Sequence, residues 1–323
     1  MTTTLIDWAT ATWQPIIGCS PISAGCVNCY AAREASSGRL ARFPQYQGLA
    51  TGGKWTGQIR LRPKVLGEPI GWKTPQRVFV CPRADVFHTD VPFGFVMRML
   101  SIMAYTPRHS YLILTKRPER MLEFFERWAC IHGESLRRTH PRARGPSAVR
   151  KQHPSPRGEL FAQMLESMGP PPESENFPSF DWAEGMLWWR DVFQNIWLGV
   201  SVEDCRSEAT RLFWLDRTRC VHRFVSYEPA LEAVDWSKWL GAFSIDWLIV
   251  GGESGPGARP CKVEWIDAAV AACKTHHVPV YVKQTGQILA KSLGLKSRKG
   301  SKPHEWPADL RKRWPRQLPE GLT

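Results

Sequence analysis

From Arg77 to Gln284 the chain repeats one unit, and that repetition limits the fold more than any other feature. Each unit is a continuous apolar run, a polar turn and an amphipathic segment. The runs are Arg77-Val-Phe-Val-Cys81, Tyr111-Leu-Ile-Leu-Thr115, Asn195-Ile-Trp-Leu-Gly-Val-Ser201, Arg223-Phe-Val-Ser226, Asp246-Trp-Leu-Ile-Val250 and Val278-Pro-Val-Tyr-Val282. Runs that stay apolar at successive positions suit strands covered on both faces. The segments between them have helical spacing. Phe93, Val96, Met97, Leu100 and Met103 share one face, with Asp90 and Pro92 as the start signal. Trp265, Ile266, Ala269, Val270 and Cys273 share another. Strands alternating with helices give a parallel sheet with right-handed crossovers. With Ile16-Ile17 as the end of an earlier strand, about seven strands are predicted, a partial (β/α) barrel and not the eightfold one.

Two stretches leave this pattern. Residues 131–181 are rich in Pro, Gly, Ser and Arg and read as an insertion into a barrel spanning 1–290. Between Arg137 and Arg157 they carry seven basic residues and no acidic one. Such a run is either a solvated surface or an arm for nucleic acid. Residues 291–323 read as a basic C-terminal tail. The net charge of +13 favours a polyanionic partner, DNA or RNA. No apolar stretch is long enough to span a membrane. The N-terminus carries neither a basic segment nor an apolar signal core, so a cytoplasmic, reducing location is expected.

In a parallel barrel the C-terminal ends of the strands form one mouth, where sites are built. The residues following the runs are polar: Arg83 and Asp85, Lys116 and Arg117, Ser201 and Glu203, Ser226 and Glu228, Glu253 and Ser254, Lys283 and Gln284. Helix caps and turns explain some of them, Ser201 most readily. Capping explains Lys116 and Lys283 less well, because cations oppose the dipole at a helix N-terminus. Gly251 and Gly252 end a strand with two glycines, which lets a ligand approach the backbone.

The first strand leads into Gly18 to Arg33, GCSPISAGCVNCYAAR. It holds Cys19, Cys26 and Cys29, three of the nine cysteines. A loop that turns three thiols toward one point before a helix suits a metal. A disulfide would leave one thiol over. A structural zinc needs a fourth ligand, with Cys81 and His88 as distant candidates. A three-cysteine iron–sulfur cluster leaves one iron for an outside ligand, and is favoured over zinc.

These motifs resemble an uncharacterised family of phage and prophage proteins with a three-cysteine motif, described as radical-SAM-like. The matching stretches are Asp7 to Trp13, Gly18-Cys19 with Gly25 to Ala31, Asp85 to Val91, Leu114 to Pro118, Gly199 to Glu203, Val225 to Pro229, Val250 to Gly255 and Val282 to Gln284. The family is distantly similar to spore photoproduct lyase. The resemblance implies a 4Fe-4S cluster on Cys19, Cys26 and Cys29, S-adenosyl-L-methionine (SAM) as cosubstrate and a reductant protein as partner. It implies Ser201, Glu203, Ser226, Glu228, Gly251, Gly252 and Glu253 on the SAM side. Arg83, Asp85, Lys116, Arg117 and Lys283 then face an anionic substrate, a nucleic acid or nucleotide. In radical SAM enzymes the cysteines are spaced by three residues and then two, whereas here the first gap is six. The alternative is a metal-stabilised nucleic-acid-binding protein without catalysis.

Overall fold

The computed structural model describes residue 4 and residues 6–126, 193–218 and 220–322. The predicted insertion at 131–181 lies outside the described residues. Seven strands form one sheet in the order of the sequence: β1 (Ala11–Trp13), β2 (Arg77–Val80), β3 (Ser110–Thr115), β4 (Ile196–Val202), β5 (His222–Tyr227), β6 (Trp247–Gly251) and β7 (Val280–Gln284). Every neighbouring pair is parallel. The sheet curls into a half-barrel, which is the partial barrel that the alternation predicts.

The first strand is not where Ile16-Ile17 suggests. Ala11–Trp13 pairs with Arg77–Val80, while Ile16–Ile17 leaves the sheet and pairs antiparallel with Arg60–Leu61. Pro15 causes the break, since it has no N–H to continue a ladder. Its carbonyl instead accepts from the Arg62 N–H at 2.8 Å.

Helix α1 (Tyr30–Ser36) follows the cysteines and is only seven residues long. Ser37 is extended and its hydroxyl donates to the Glu34 carbonyl at 2.7 Å, competing with the next helical bond. Helix α2 (Phe93–Tyr105) has Pro92 at its N-cap, not Asp90. The Pro92 carbonyl takes the first bonds, from Phe95 and Val96, while the Asp90 N–H donates to His88 Nδ1. Residues 118–126 form α3. Helix α4 (Cys205–Arg217) opens on a capping box between Asp204 and Ser207. Helix α5 (Trp236–Leu240) precedes β6, and α6 (Val263–Thr275) joins β6 to β7.

Side-chain alternation divides the sheet into two faces. Leu198, Val200, Val225, Leu248, Val250 and Val282 pack outward against Met99, Leu212, Leu215 and Ile266 of the helices. Phe79, Leu112, Trp197, Phe224, Trp247 and Tyr281 point inward as a separate cluster, closed by Trp8 and Leu322. The Trp8 ring meets Phe79 edge-on at 4.8 Å. Continuing the same phase toward the strand ends, the inner residues become small and then charged. On β4 they run Trp197, Gly199, Ser201 and then Glu203; on β5, Phe224, Ser226 and Glu228; on β6, Trp247, Ile249, Gly251 and then Glu253. An aromatic floor therefore lies beneath a polar mouth.

The basic C-terminal stretch is part of this body. Trp306, Leu310 and Trp314 are buried in the outer core, and Leu322 in the inner one. Lys291, Lys296, Arg298, Lys299, Arg311 and Lys312 stay exposed. Short α7 (Gln287–Ser292) and α8 (Ala308–Arg313) carry part of it.

Candidate metal centre at the strand-end mouth

Residues 18–33 lie across the mouth. Gly18 bridges to Ala84 just beyond β2, so the chain stays in line with the sheet until the first cysteine. From there it crosses the strand ends, and each section is held by a different one.

The first section belongs to β2 and β3. Arg117 Nη1 lies 3.8 Å from Cys19 Sγ and donates to Asp85 Oδ2 at 3.0 Å. Its Nη2 donates to the Ser20 carbonyl at 2.9 Å and to Ser20 Oγ at 2.8 Å. Asp85 is buried, and also accepts from Thr115 Oγ1 at 2.7 Å, the Phe87 N–H at 3.0 Å and the Lys116 N–H at 3.0 Å. His88 is buried beside Ser20, with Nε2 2.8 Å from Ser20 Oγ. Since His88 Nδ1 accepts from the Asp90 N–H, Nε2 carries the proton and donates to the serine. Ser20 is thus anchored and not activated. Burial first, then Arg117, holds His88 below the usual imidazole pKa.

The second section belongs to β4. Ser23 Oγ donates to Glu203 Oε1 at 3.2 Å. Gly25 rests directly on that carboxylate. Glu203 is fully buried and shares its charge with two cations: Lys116 Nζ and Arg211 Nη1, the latter 3.0 Å from both oxygens. Burial opposes its charge, but Lys116 and Arg211 outweigh burial and hold the carboxyl below its ordinary value.

The third section belongs to β6. Asn28, between Cys26 and Cys29, donates to Glu253 Oε2 at 3.0 Å and to the Gly257 carbonyl at 2.7 Å. Arg259 donates to Glu253 through its N–H at 2.8 Å, Nε at 2.9 Å and Nη2 at 2.6 Å. The same Nη2 reaches the Ala24 carbonyl at 2.9 Å. Arg33 of α1 donates to the Ser254 carbonyl at 2.9 Å.

The remaining predicted residues fall around this loop. Lys283 Nζ lies 2.8 Å from both oxygens of Glu228. Arg83 pairs with Glu34 of α1 at 2.9 Å. Ser201 and Ser226 are buried register partners on β4 and β5, below the charged layer. A side chain on Gly251 would meet Glu228 Oε1 and Gln284 Cγ at 3.3 Å. At Gly252 the chain itself makes the close approach: an added Cβ would lie 2.9 Å from Gly286 Cα.

The three thiols are free of disulfides. Burial, aided by Asp85, pushes the Cys19 thiol up to about 12 against the pull of Arg117. Metal coordination is what would deprotonate it at neutral pH. Among the described residues no three His, Cys, Asp or Glu side chains gather at the spacing of a single ion. Of the two distant zinc candidates, His88 has both nitrogens engaged, with Ser20 Oγ and the Asp90 N–H, and Cys81 is buried in the outer core. A cubane cluster asks for something else, since each thiolate binds its own iron. Three free thiols on one anchored loop, with a guanidinium beside one sulfur, are the donors that a cluster there would use.

Sequence reading passes over Arg211, Arg259, Asn28, Ser20 and Ser23. Arg211 leaves a trace: it falls on the buried face of α4 with Ser207, Glu208, Leu212 and Leu215, where a cation needs a partner. Arg259 and Asn28 leave none, because their contacts across the mouth, to Ala24 and Glu253, span 235 and 225 residues.

Among the described residues no helix is long and apolar enough to cross a membrane. Residues 3–313 match the family described as a protein of unknown function (DUF5131), and the chain belongs to that family. No curated protein and no solved structure matches the chain.

Proposed function

We propose that this member of the family is an iron–sulfur protein of the radical-SAM-like kind, acting on a nucleic acid or nucleotide. The observation that carries the reading is the cysteine loop itself, three free thiols fastened over the mouth of a half-barrel by Asp85, Glu203 and Glu253. Cys19, Cys26 and Cys29 would hold a 4Fe-4S cluster, which when bound supplies an electron to the sulfonium of SAM. Arg117 places positive charge beside the Cys19 sulfur and favours its thiolate. Lys283 and Glu228 offer a donor and an acceptor at the mouth. The aromatic floor of Trp197, Phe224 and Trp247 excludes water from below.

A polyanionic substrate is supported by the net charge and by the loop's surface. Ile22, Val27 and Tyr30 are 47%, 63% and 48% exposed, and all three surround the cysteines. Tyr30 presents its ring there while its hydroxyl donates to the Pro82 carbonyl at 3.1 Å. An exposed ring of this kind suits a stacked base.

The test is anaerobic reconstitution with iron and sulfide, followed by electron paramagnetic resonance with and without SAM and an assay for 5′-deoxyadenosine. The expected result is a cluster lost on changing any of the three cysteines to alanine, a SAM-dependent spectral change, and slow 5′-deoxyadenosine release. A colourless protein with one zinc per chain would overturn the reading. A second reading has its own support, because Lys116, Arg259 and Lys283 are paired with carboxylates of the mouth itself. It is a metal-stabilised nucleic-acid-binding protein, and a cluster that neither responds to SAM nor yields 5′-deoxyadenosine would select it.

A further inference from the structure

Three buried carboxylates lie beneath the cysteine loop, and each accepts four hydrogen bonds. Asp85 accepts from Phe87, Thr115, Lys116 and Arg117. Glu203 accepts from Ser23 and Lys116 and twice from Arg211. Glu253 accepts from Asn28 and three times from Arg259. An ionised carboxylate has about four lone-pair sites. Asp85 has both oxygens filled, with two donors on each, while Glu203 and Glu253 take three donors on one oxygen and one on the other, all from the protein itself.

We propose that Asp85, Glu203 and Glu253 are positioning residues that fix the cysteine loop before any metal arrives, and are not ligands of a cofactor or substrate. The arrangement has one support per section of loop. Asp85 aims Arg117 at Cys19 and Ser20. Glu203 carries Ser23 and Gly25, on either side of Ala24 and just ahead of Cys26. Glu253 takes Asn28 directly and reaches the Ala24 carbonyl through Arg259, so it brackets Cys26 and precedes Cys29. The supports come from beyond β2, β4 and β6, so the sheet fixes the spacing between them. Burial makes each strong, because a charge-assisted bond out of water gains over one in solvent. Glu228 differs. Both of its oxygens face Lys283 Nζ, and it takes no other donor among the described residues. That pair is what the mouth leaves for a ligand.

The inference holds for whatever metal the thiols take, so its test uses the metal-free full-length protein. Thiols are alkylated with iodoacetamide and each cysteine's rate is read by mass spectrometry. Cys205, which is exposed, serves as the reagent control, and buried Cys81, Cys261 and Cys273 report global opening. Asp85→Asn and Ser20→Ala should speed labelling of Cys19 about ten-fold and leave Cys29 near the wild-type rate. Glu253→Gln and Asn28→Ala should speed Cys26 and Cys29 about ten-fold and leave Cys19 near it. Glu228→Gln should change none of the three. If the carboxylate variants also expose the buried cysteines, the loop-side variants Ser20→Ala and Asn28→Ala decide the matter, since they leave the buried charges paired. Wild-type rates in both loop-side variants, or equal acceleration of all three cysteines, would overturn the proposal. Failure to assemble a cluster would count against the function proposed above and not against this inference.

Discussion

Glu203 occupies the space that a side chain on Gly25 would need. A Cβ there would lie 2.5 Å from Glu203 Oε1 and 2.7 Å from its Cδ. The carboxylate cannot move aside, because Lys116 and Arg211 hold it from below. The loop between the first two cysteines is thus seated on a fixed charge.

Gly25→Ala should therefore cost about 1–3 kcal/mol in urea unfolding, the usual penalty of overpacking a tight site. Ser23→Ala, which only removes a bond to the same oxygen, should cost about 1.5–3 kcal/mol at most. In a Glu203→Ala background the extra cost of Gly25→Ala should vanish, whereas in Glu203→Gln it should persist. Additive costs in the alanine background would refute direct contact.

Acid should destabilise the protein in two stages. Burial holds His88, His109 and His222 below the ordinary imidazole pKa, so the unfolded chain binds protons first as pH falls. Their stabilisation is complete above about pH 6.5 and declines as pH drops through that value. Glu203 and Glu253 are held below the ordinary carboxylate value against the pull of burial, by Lys116 with Arg211 and by Arg259 with Asn28. Their contribution is complete above about pH 4.3 and is lost as pH falls further through their folded values. Urea midpoints measured down the pH scale should show both declines. His88→Gln should weaken the first decline and Glu253→Gln the second; a single carboxylate-range transition would contradict the histidine assignment.

Gly199→Ala should be costly although the residue sits in a strand. Its Cβ would run into the Phe224 ring across β4 and β5. A loss of about 1–3 kcal/mol is expected. Pairing it with Phe224→Leu should recover part of that loss, which a thermal or urea melt would register.

Salt should weaken nucleic-acid binding steeply, since each phosphate contact releases counterions. Removing residues 137–157, with their seven basic and no acidic residues, should reduce the slope of log affinity against log salt. Exposed Lys296, Arg298 and Lys299 form a second basic group, and their alanine variants test whether the C-terminal body contributes. An unchanged slope in both would assign these charges to solvent.

The strands and their order were legible in the sequence because a strand buried on both faces must be apolar throughout. The runs at Tyr111 to Thr115 and Asp246 to Val250 lie within one residue of β3 and β6. Their position just after the apolar runs also put Ser201, Glu203, Ser226, Glu228 and Glu253 at one mouth, while the structure adds that they share the inner phase of the strands. The first strand was misplaced by proximity to the cysteines, because Trp13 and Ile16 are equally apolar and only Gln14 and Pro15 separate their sheets. What the sequence alone could not decide was whom each charge serves. Lys116 and Glu203 are 87 residues apart, and Asn28 and Glu253 are 225 apart. A carboxylate at a strand end looks the same in sequence whether it faces a ligand or a buried arginine. The difference is made by distance and desolvation, which exist only once the sheet has brought the ends of its strands together.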